Sequence, residues 1–301
     1  MDLGLAIVDE QHRFGTRQRE LLRQKSGRGR PHFLAMTATP IPRSLALAVY
    51  GEMELSTIDE VPPGRTPVTT LVVLPGGRAA AYELVRREVE AGHQAFVICP
   101  LIDESEQMEA KAATVEFERL KKDIFPELRL SLVHGRMREK DAVMKAFRDR
   151  ESDILVATPV IEVGVDVPNA TVMVIEGADR FGLAQLHQFR GRVGRSVLQS
   201  HCLLLSDDPN PTIARRLALV AEIHDGFRLA TKDMELRGAG ELMGAQQHGM
   251  TDLAMDALRE PQLISTAREE AELVLASDPD LSRHPELLRA IRSRLARTSI
   301  S

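Results

Sequence analysis

Leu5-Ala6-Ile7-Val8-Asp9-Glu10-Gln11-His12 is a short apolar run that stops at two carboxylates and a histidine. It predicts a strand of a parallel sheet, because strands covered on both faces read as continuous apolar segments. In open α/β sheets ligands gather beyond the carboxyl ends of the strands, which is where Asp9, Glu10 and His12 fall. An aspartate there can hold Mg2+ through water, and the adjacent glutamate can orient and deprotonate a water that attacks a phosphoryl group. A strand whose polar end merely meets solvent has the same local sequence, so the reading depends on what surrounds it.

Working outward, apolar runs at 3–8, 32–36, 67–74, 94–101, 128–133, 153–157, 171–175 and 201–205 predict strands. Helical patterns at 16–24, 42–50, 78–91, 108–123, 138–148, 183–189 and 211–224 fall between or after them. This alternation predicts an α/β fold, a parallel sheet with helices on both faces. Glu60-Val61-Pro62-Pro63-Gly64-Arg65-Thr66-Pro67 carries three prolines and a glycine and reads as a linker. Residues 1–66 are then the carboxy-terminal part of a first lobe, because two strands are few for an open sheet. Residues 67–210 form a complete second lobe, and 211–301 form a helical element.

The 301 residues carry a formal net charge of −5, so any nucleic-acid contact has to come from local patches rather than the overall field. Basic residues gather at 17–30 and again at Arg190, Arg192 and Arg195. Cys99 and Cys202, the two cysteines, each sit in an apolar run, which predicts buried free thiols and a reducing, cytoplasmic setting. No apolar stretch approaches the roughly 18–20 residues of a membrane span, and the amino terminus lacks the pattern of a signal peptide.

Four further segments cluster polar chemistry at strand ends. Thr37 and Thr39 follow the strand at 32–36 and could hydrogen-bond across to the carboxylate-histidine group. His134-Gly135-Arg136-Met137 ends another strand and offers Arg136 to a phosphate chain; a structural role for His134 is equally open. The run from Ala157-Thr158-Pro159 to Val163-Gly164-Val165-Asp166 mixes Gly, Asp and Pro after a strand, and lines a cleft facing the first lobe. Gln188-Phe189-Arg190-Gly191-Arg192-Val193-Gly194-Arg195 places Arg192 and Arg195 beside glycines. Their planar forks suit phosphate oxygens and the arginine-finger role, although a solvated turn or a nucleic-acid contact fits the same spacing.

Taken in order, the segments resemble the superfamily 2 helicases: Asp9-Glu10-Gln11-His12 as motif II, Thr37-Ala38-Thr39 as motif III, Val163-Gly164-Val165-Asp166 as motif V, and Gln188 to Arg195 as motif VI. The wording of Met36-Thr37-Ala38-Thr39-Pro40-Ile41-Pro42-Arg43, Pro100-Leu101-Ile102-Asp103-Glu104 and Val133-His134-Gly135-Arg136-Met137 is similar to the RecG group of ATP-dependent DNA helicases. The resemblance implies RecA-like lobes, ATP and Mg2+ as cofactors, and a translocase on branched or duplex DNA that remodels stalled replication forks and recombination junctions in repair and recombination. It assigns Asp9, Glu10, His12, Gln188, Arg192 and Arg195 to catalysis, with Asp9 holding Mg2+ through water. Gly164 and Asp166 go to nucleotide binding, and His134, Arg136 and Thr158 to DNA binding.

Thr37 and Thr39 are assigned to coupling, together with Arg237 and Gln247 of a helical translocation element that begins near Asp225; Gln246 departs there from the arginine usual in the group. A single-strand DNA-binding protein is a candidate partner, and a monomer without membrane attachment is expected. No Gly-x-x-x-x-Gly-Lys-Ser/Thr loop occurs in the 301 residues. The chain is therefore expected to be the carboxy-terminal part of a longer helicase, lacking the wedge domain and inactive alone. The alternatives are a relative of the transcription-repair coupling factor and a non-catalytic module that binds DNA or a partner.

Overall fold

A computed structural model describes residues 3–10, 31–38, 54, 56–58, 60, 64–100, 106–159, 166–237 and 261–298. The predicted helices at 16–24 and 42–50 lie outside the described residues. The chain divides into two compact units, Met1–Pro40 with Asp59–Asp233, and Ile41–Ile58 with Met234–Ser301.

The first unit holds two parallel sheets. In the small one, β1 (Leu5–Val8) pairs with β2 (His32–Ala35), Val8 opposite Ala35. The large one contains β3 (Thr69–Val73), β4 (Gln94–Ile98), β5 (Leu130–Val133), β6 (Ile154–Ala157), β7 (Ala170–Ile175) and β8 (His201–Leu205). They lie in the order β3-β8-β7-β4-β6-β5, all parallel. Every run predicted as a strand forms one, trimmed by one to three residues where the run outlasts the ladder.

Parallel pairing requires crossovers, and helices supply them. Among the described residues the crossover helices are α1 (Arg78–Glu90), α2 (Glu106–Arg119), α3 (Lys140–Arg148) and α4 (Leu183–Arg190), and α5 (Pro211–Glu222) follows the last strand, β8. The alternation of side chains along the strands splits the core in two. Phe96, Ile98, Leu155, Met173, Ile175 and Leu204 face Phe147 of α3, Leu186 and Phe189 of α4 and Leu217 of α5. Val97, Val156, Val172, Val174 and Leu203 face Tyr82 and Val85 of α1, with Leu120 and Phe125. Each large side chain buried in these layers contributes about 1.5–3 kcal/mol relative to exposure.

The small sheet departs from its sequence pattern. A strand covered on both faces was expected, yet Leu5 and Ile7 are exposed while Ala6 and Val8 are buried. Leu34 of β2 is exposed beside them. A two-stranded sheet has two faces and here only one is covered, so alternate residues meet water.

After α5 come α6 (Gly226–Arg237) and, in the second unit, α7 (Pro261–Ser277) and α8 (Pro285–Thr298). Asp278 organises the turn after α7, its carboxylate accepting from the backbone N–H of Ser282 (3.0 Å) and Arg283 (2.8 Å). None of the described helices is long and apolar enough to cross a membrane.

Candidate functional site

The ends of β1 and β2 bring Asp9, Glu10 and Thr37 to one edge. Met36 donates its N–H to Val8 O (2.8 Å), so the ladder runs to the point where both chains turn polar. Asp9 is exposed and its Oδ1 accepts from the Glu10 N–H (2.8 Å). Glu10 is held at φ 50°, a left-handed conformation uncommon outside glycine and one that ends the strand abruptly. An exposed carboxylate at a strand end is the donor type that takes Mg2+ through its waters, so Asp9 fits the role expected of it. His12 and Thr39 lie outside the described residues.

In the large sheet, β5 and β6 end together, Val133 opposite Ala157. This brings His134, Arg136 and Thr158 to one edge. Arg136 is exposed, whereas Thr158 is buried with its N–H donating to Val133 O (3.3 Å). The Nδ1 of His134 is buried without a hydrogen-bond partner. Burial first, then the positive charges of Lys140 and Arg136, hold this imidazole below its ordinary pKa.

The loop after α4 carries Arg192 and Arg195. Arg195 donates through Nη1 to Asp166 Oδ1 (3.1 Å) and through Nε to Gly191 O (3.2 Å). Asp166, assigned to nucleotide binding on resemblance, and Arg195, assigned to catalysis, are thus an ion pair lining a cleft of about 560 Å3 with Arg65 and Gly191. Gln188 is on α4, one turn before the loop. Gly164 and Gln247 lie outside the described residues; Arg237 ends α6, its side chain also outside them.

Two arginines were given no role of their own from the sequence. Arg190, although inside the same motif, is buried. Its guanidinium donates to the carbonyls of Val220, Ile223 (3.2 Å) and His224 (3.3 Å) and to His187 Nδ1 (2.7 Å). It caps the carboxyl end of α5 and its following turn, whose carbonyls have no helical partner. Arg65, from the linker, donates to Gly194 O (2.6 Å). An arginine beside a glycine between prolines was the only sequence signal for it.

A larger cleft of about 1020 Å3 lies at the carboxyl ends of β4, β7 and β8. Its wall includes the buried carboxylate of Glu176, which takes hydrogen bonds from Arg78 (2.7 Å) and Tyr82 (2.8 Å), with Arg119 3.8 Å away. Burial works against the Arg78 charge, but the Glu176 carboxylate overrides it and the guanidinium stays protonated. Burial first and the same carboxylate second raise the Tyr82 phenol. These charges satisfy one another and tie α1 and α2 to the sheet edge. The two residues assigned on resemblance, Arg195 and Asp166, line the smaller cleft and not this one.

Comparison with known proteins shows a family model described as "Helicase conserved C-terminal domain" over residues 78–197, and one described as "ATP-dependent DNA helicase RecG, domain 3, C-terminal" over 223–297. The chain is 51% identical over 288 residues to the ATP-dependent DNA helicase RecG of Synechocystis sp., covering 95% of this chain and 34% of the relative. It is similar to a solved structure of RecG bound to a three-way DNA junction, with 44% identity and a TM-score of 0.69, covering 87% of this chain and 33% of the other. The S. cerevisiae Dbp5 L327V structure bound to RNA and ADP BeF3 shares the fold at 16% identity and a TM-score of 0.53, covering 78% and 64%. The chain spans about a third of the length of the two RecG proteins.

Proposed function

Because this chain belongs to the RecG family of ATP-dependent DNA helicases, we propose that it is part of a DNA-translocating ATPase that remodels stalled replication forks and recombination junctions. Residues 1–66 act as part of one RecA-like lobe, 67–210 as the other, and 211–301 as the helical region that passes lobe movement to DNA. The observation that carries the reading is the pairing of Arg195 with Asp166 on a loop fixed by backbone hydrogen bonds. It supports the reading because the Arg195 guanidinium stands at the wall of the smaller cleft.

ATP with Mg2+ supplies the phosphoryl group and its charge neutralisation when bound. Toward that group, Asp9 offers an exposed carboxylate to the waters of the cation. Glu10, next to it, is the base that orients the attacking water. Arg192 and Arg195 neutralise charge on the transferring phosphate, a device worth about three to five powers of ten in rate. Arg136, exposed beside His134, offers charge to the phosphate backbone of branched or duplex DNA, while buried Thr158 supports the turn that presents it.

The test joins this chain in frame to the amino-terminal part of the Synechocystis relative and measures ATP hydrolysis with and without three-way junction DNA. DNA should stimulate turnover, and Glu10→Gln and Arg195→Ala should each lower kcat at least about a hundredfold. Undiminished turnover in both variants would remove the role assignment.

A further inference from the structure

The linker does more than separate two lobes. Arg65 Nε donates to Gly194 O (2.6 Å) and Nη2 reaches Gly191 O (3.5 Å). This contact is one rung of a longer seam. Thr66 Oγ1 donates to Val197 O (3.1 Å), and Gln199 Nε2 donates to Pro67 O (3.2 Å) and to Thr69 Oγ1 (3.0 Å). Thr69 N then donates to Ser200 O (2.9 Å), where β3 begins to pair with β8. Val68 completes it from the apolar side, with Cγ2 2.5 Å from where a Cβ on Gly194 would stand. Residues 65–69 and 191–200 are therefore joined along their whole length.

Within that seam the Arg65 contact is aimed at the arginines. Of its acceptors, Gly191 O immediately precedes Arg192 and Gly194 O immediately precedes Arg195. Gly191 O also accepts from Arg195 Nε (3.2 Å), so Arg65 and Arg195 meet at one carbonyl. Arg65 also lines the cleft that Arg195 and Asp166 share. A guanidinium is a rigid planar fork, so movement of residue 65 is delivered to the loop with little slack. Pro67 just after it, with φ fixed by its ring, limits slack on the chain side.

We propose that Arg65 is a positioning residue, which fixes the loop bearing Arg192 and Arg195 to the interlobe linker and so makes the reach of those arginines follow linker movement. This rests on the reading of Arg192 and Arg195 as phosphate-facing.

Two measurements test it. The sequence has no tryptophan and Val197 is 78% exposed, so Val197→Trp gives this chain a single reporter on the loop. Adding Arg65→Ala should raise acrylamide quenching of that tryptophan about twofold, as a tethered loop becomes mobile. In the joined protein, Arg65→Ala should lower kcat of DNA-stimulated ATP hydrolysis about tenfold with KM for ATP changed less than about twofold. Arg65→Lys, which keeps the charge but lacks Nε–H, should do no better than alanine, and it serves if the alanine variant fails to fold. In the Arg192→Ala, Arg195→Ala double variant, adding Arg65→Ala should cost little more, because it acts through those two arginines.

Wild-type quenching and kcat in Arg65→Ala, full rescue by lysine, or multiplicative losses in the triple variant would each overturn the proposal. If Arg195→Ala itself keeps wild-type kcat, the phosphate-facing reading falls and the kcat arm with it. The quenching arm then decides whether Arg65 holds the loop.

Discussion

Acidification should destabilise the six-stranded unit through one histidine. The Arg190 guanidinium can only donate, so the His187 Nδ1 that it meets at 2.7 Å must be an acceptor and the ring neutral. Burial, and next the Arg190 charge, push the His187 pKa down to about 4. The unfolded chain would bind a proton near pH 6.5, so between those values it holds more protons than the folded one. Stability is then fully present above about pH 6.5 and is lost as pH falls toward 4. At about 1.4 kcal/mol per unit the whole window is worth about 3 kcal/mol, of which about 2 kcal/mol falls between pH 7 and 5.

Other groups can be set aside or placed. His134 is also held low, by burial first and then by Lys140 and Arg136, and adds in the same direction. Glu88, Glu127, Asp153 and Asp278 are held below ordinary carboxylate values, so their losses come below about pH 4.5. Urea unfolding followed by far-UV circular dichroism at several pH values reads the effect. His187→Gln keeps an acceptor for Arg190 but cannot titrate, and should lose about 2 kcal/mol less than wild type between pH 7 and 5. Equal losses in the two proteins would refute the neutral, acceptor histidine.

Four further outcomes are expected. Gly194 has φ +69° with Val68 2.5 Å from its would-be Cβ, so Gly194→Ala should cost about 3 kcal/mol in urea unfolding. Gly191→Ala, with backbone oxygen no nearer than 3.4 Å, should cost about 1 kcal/mol or less. Gln94, buried, donates to the carbonyls of Phe147 (2.7 Å) and Ser152 (2.8 Å), so Gln94→Leu should lower stability by about 2–3 kcal/mol and lower Tm in calorimetry. Burial pushes the Cys202 thiol up to about 12 and the Cys99 thiol up as well, so a thiol reagent at pH 8 should label neither until the protein unfolds. Rapid labelling of native protein would contradict this.

What the sequence revealed follows from what each signal reports. Ile154–Ala157 and Ala170–Ile175 are buried throughout and apolar but for Thr171, because helices cover both faces of the large sheet, so continuous runs located its strands. Leu5–Val8 is as apolar, yet alternate residues are exposed, because a run cannot say how many layers cover it. The ion pair of Asp166 with Arg195 joins residues 29 positions apart, and only the parallel order of the sheet brings them together. Arg65 was hidden for a related reason. Its partners lie more than 120 positions downstream, and the prolines and glycine around it report local backbone, not what the side chain meets.

Arg190 shows how far one motif can be divided by the end of a helix. Leu183, Leu186, His187 and Arg190 fall at i, i+3, i+4 and i+7, the stripe that an amphipathic helix turns inward. α4 ends at Arg190, so that arginine still obeys the stripe. Arg192 and Arg195 come after Gly191 and are released from it. The inward arginine meets the carbonyl end of α5, where the carbonyls of Val220, Ile223 and His224 and the negative pole of the helix favour a cation with several donors. A lysine, with three donors on a single nitrogen, could not span the carbonyls of Val220, Ile223 and His224 while holding His187. The same residue type thus stands in two settings within six positions: Arg190 fastens the helix that carries the loop, and Arg195 lines the cleft that the loop borders.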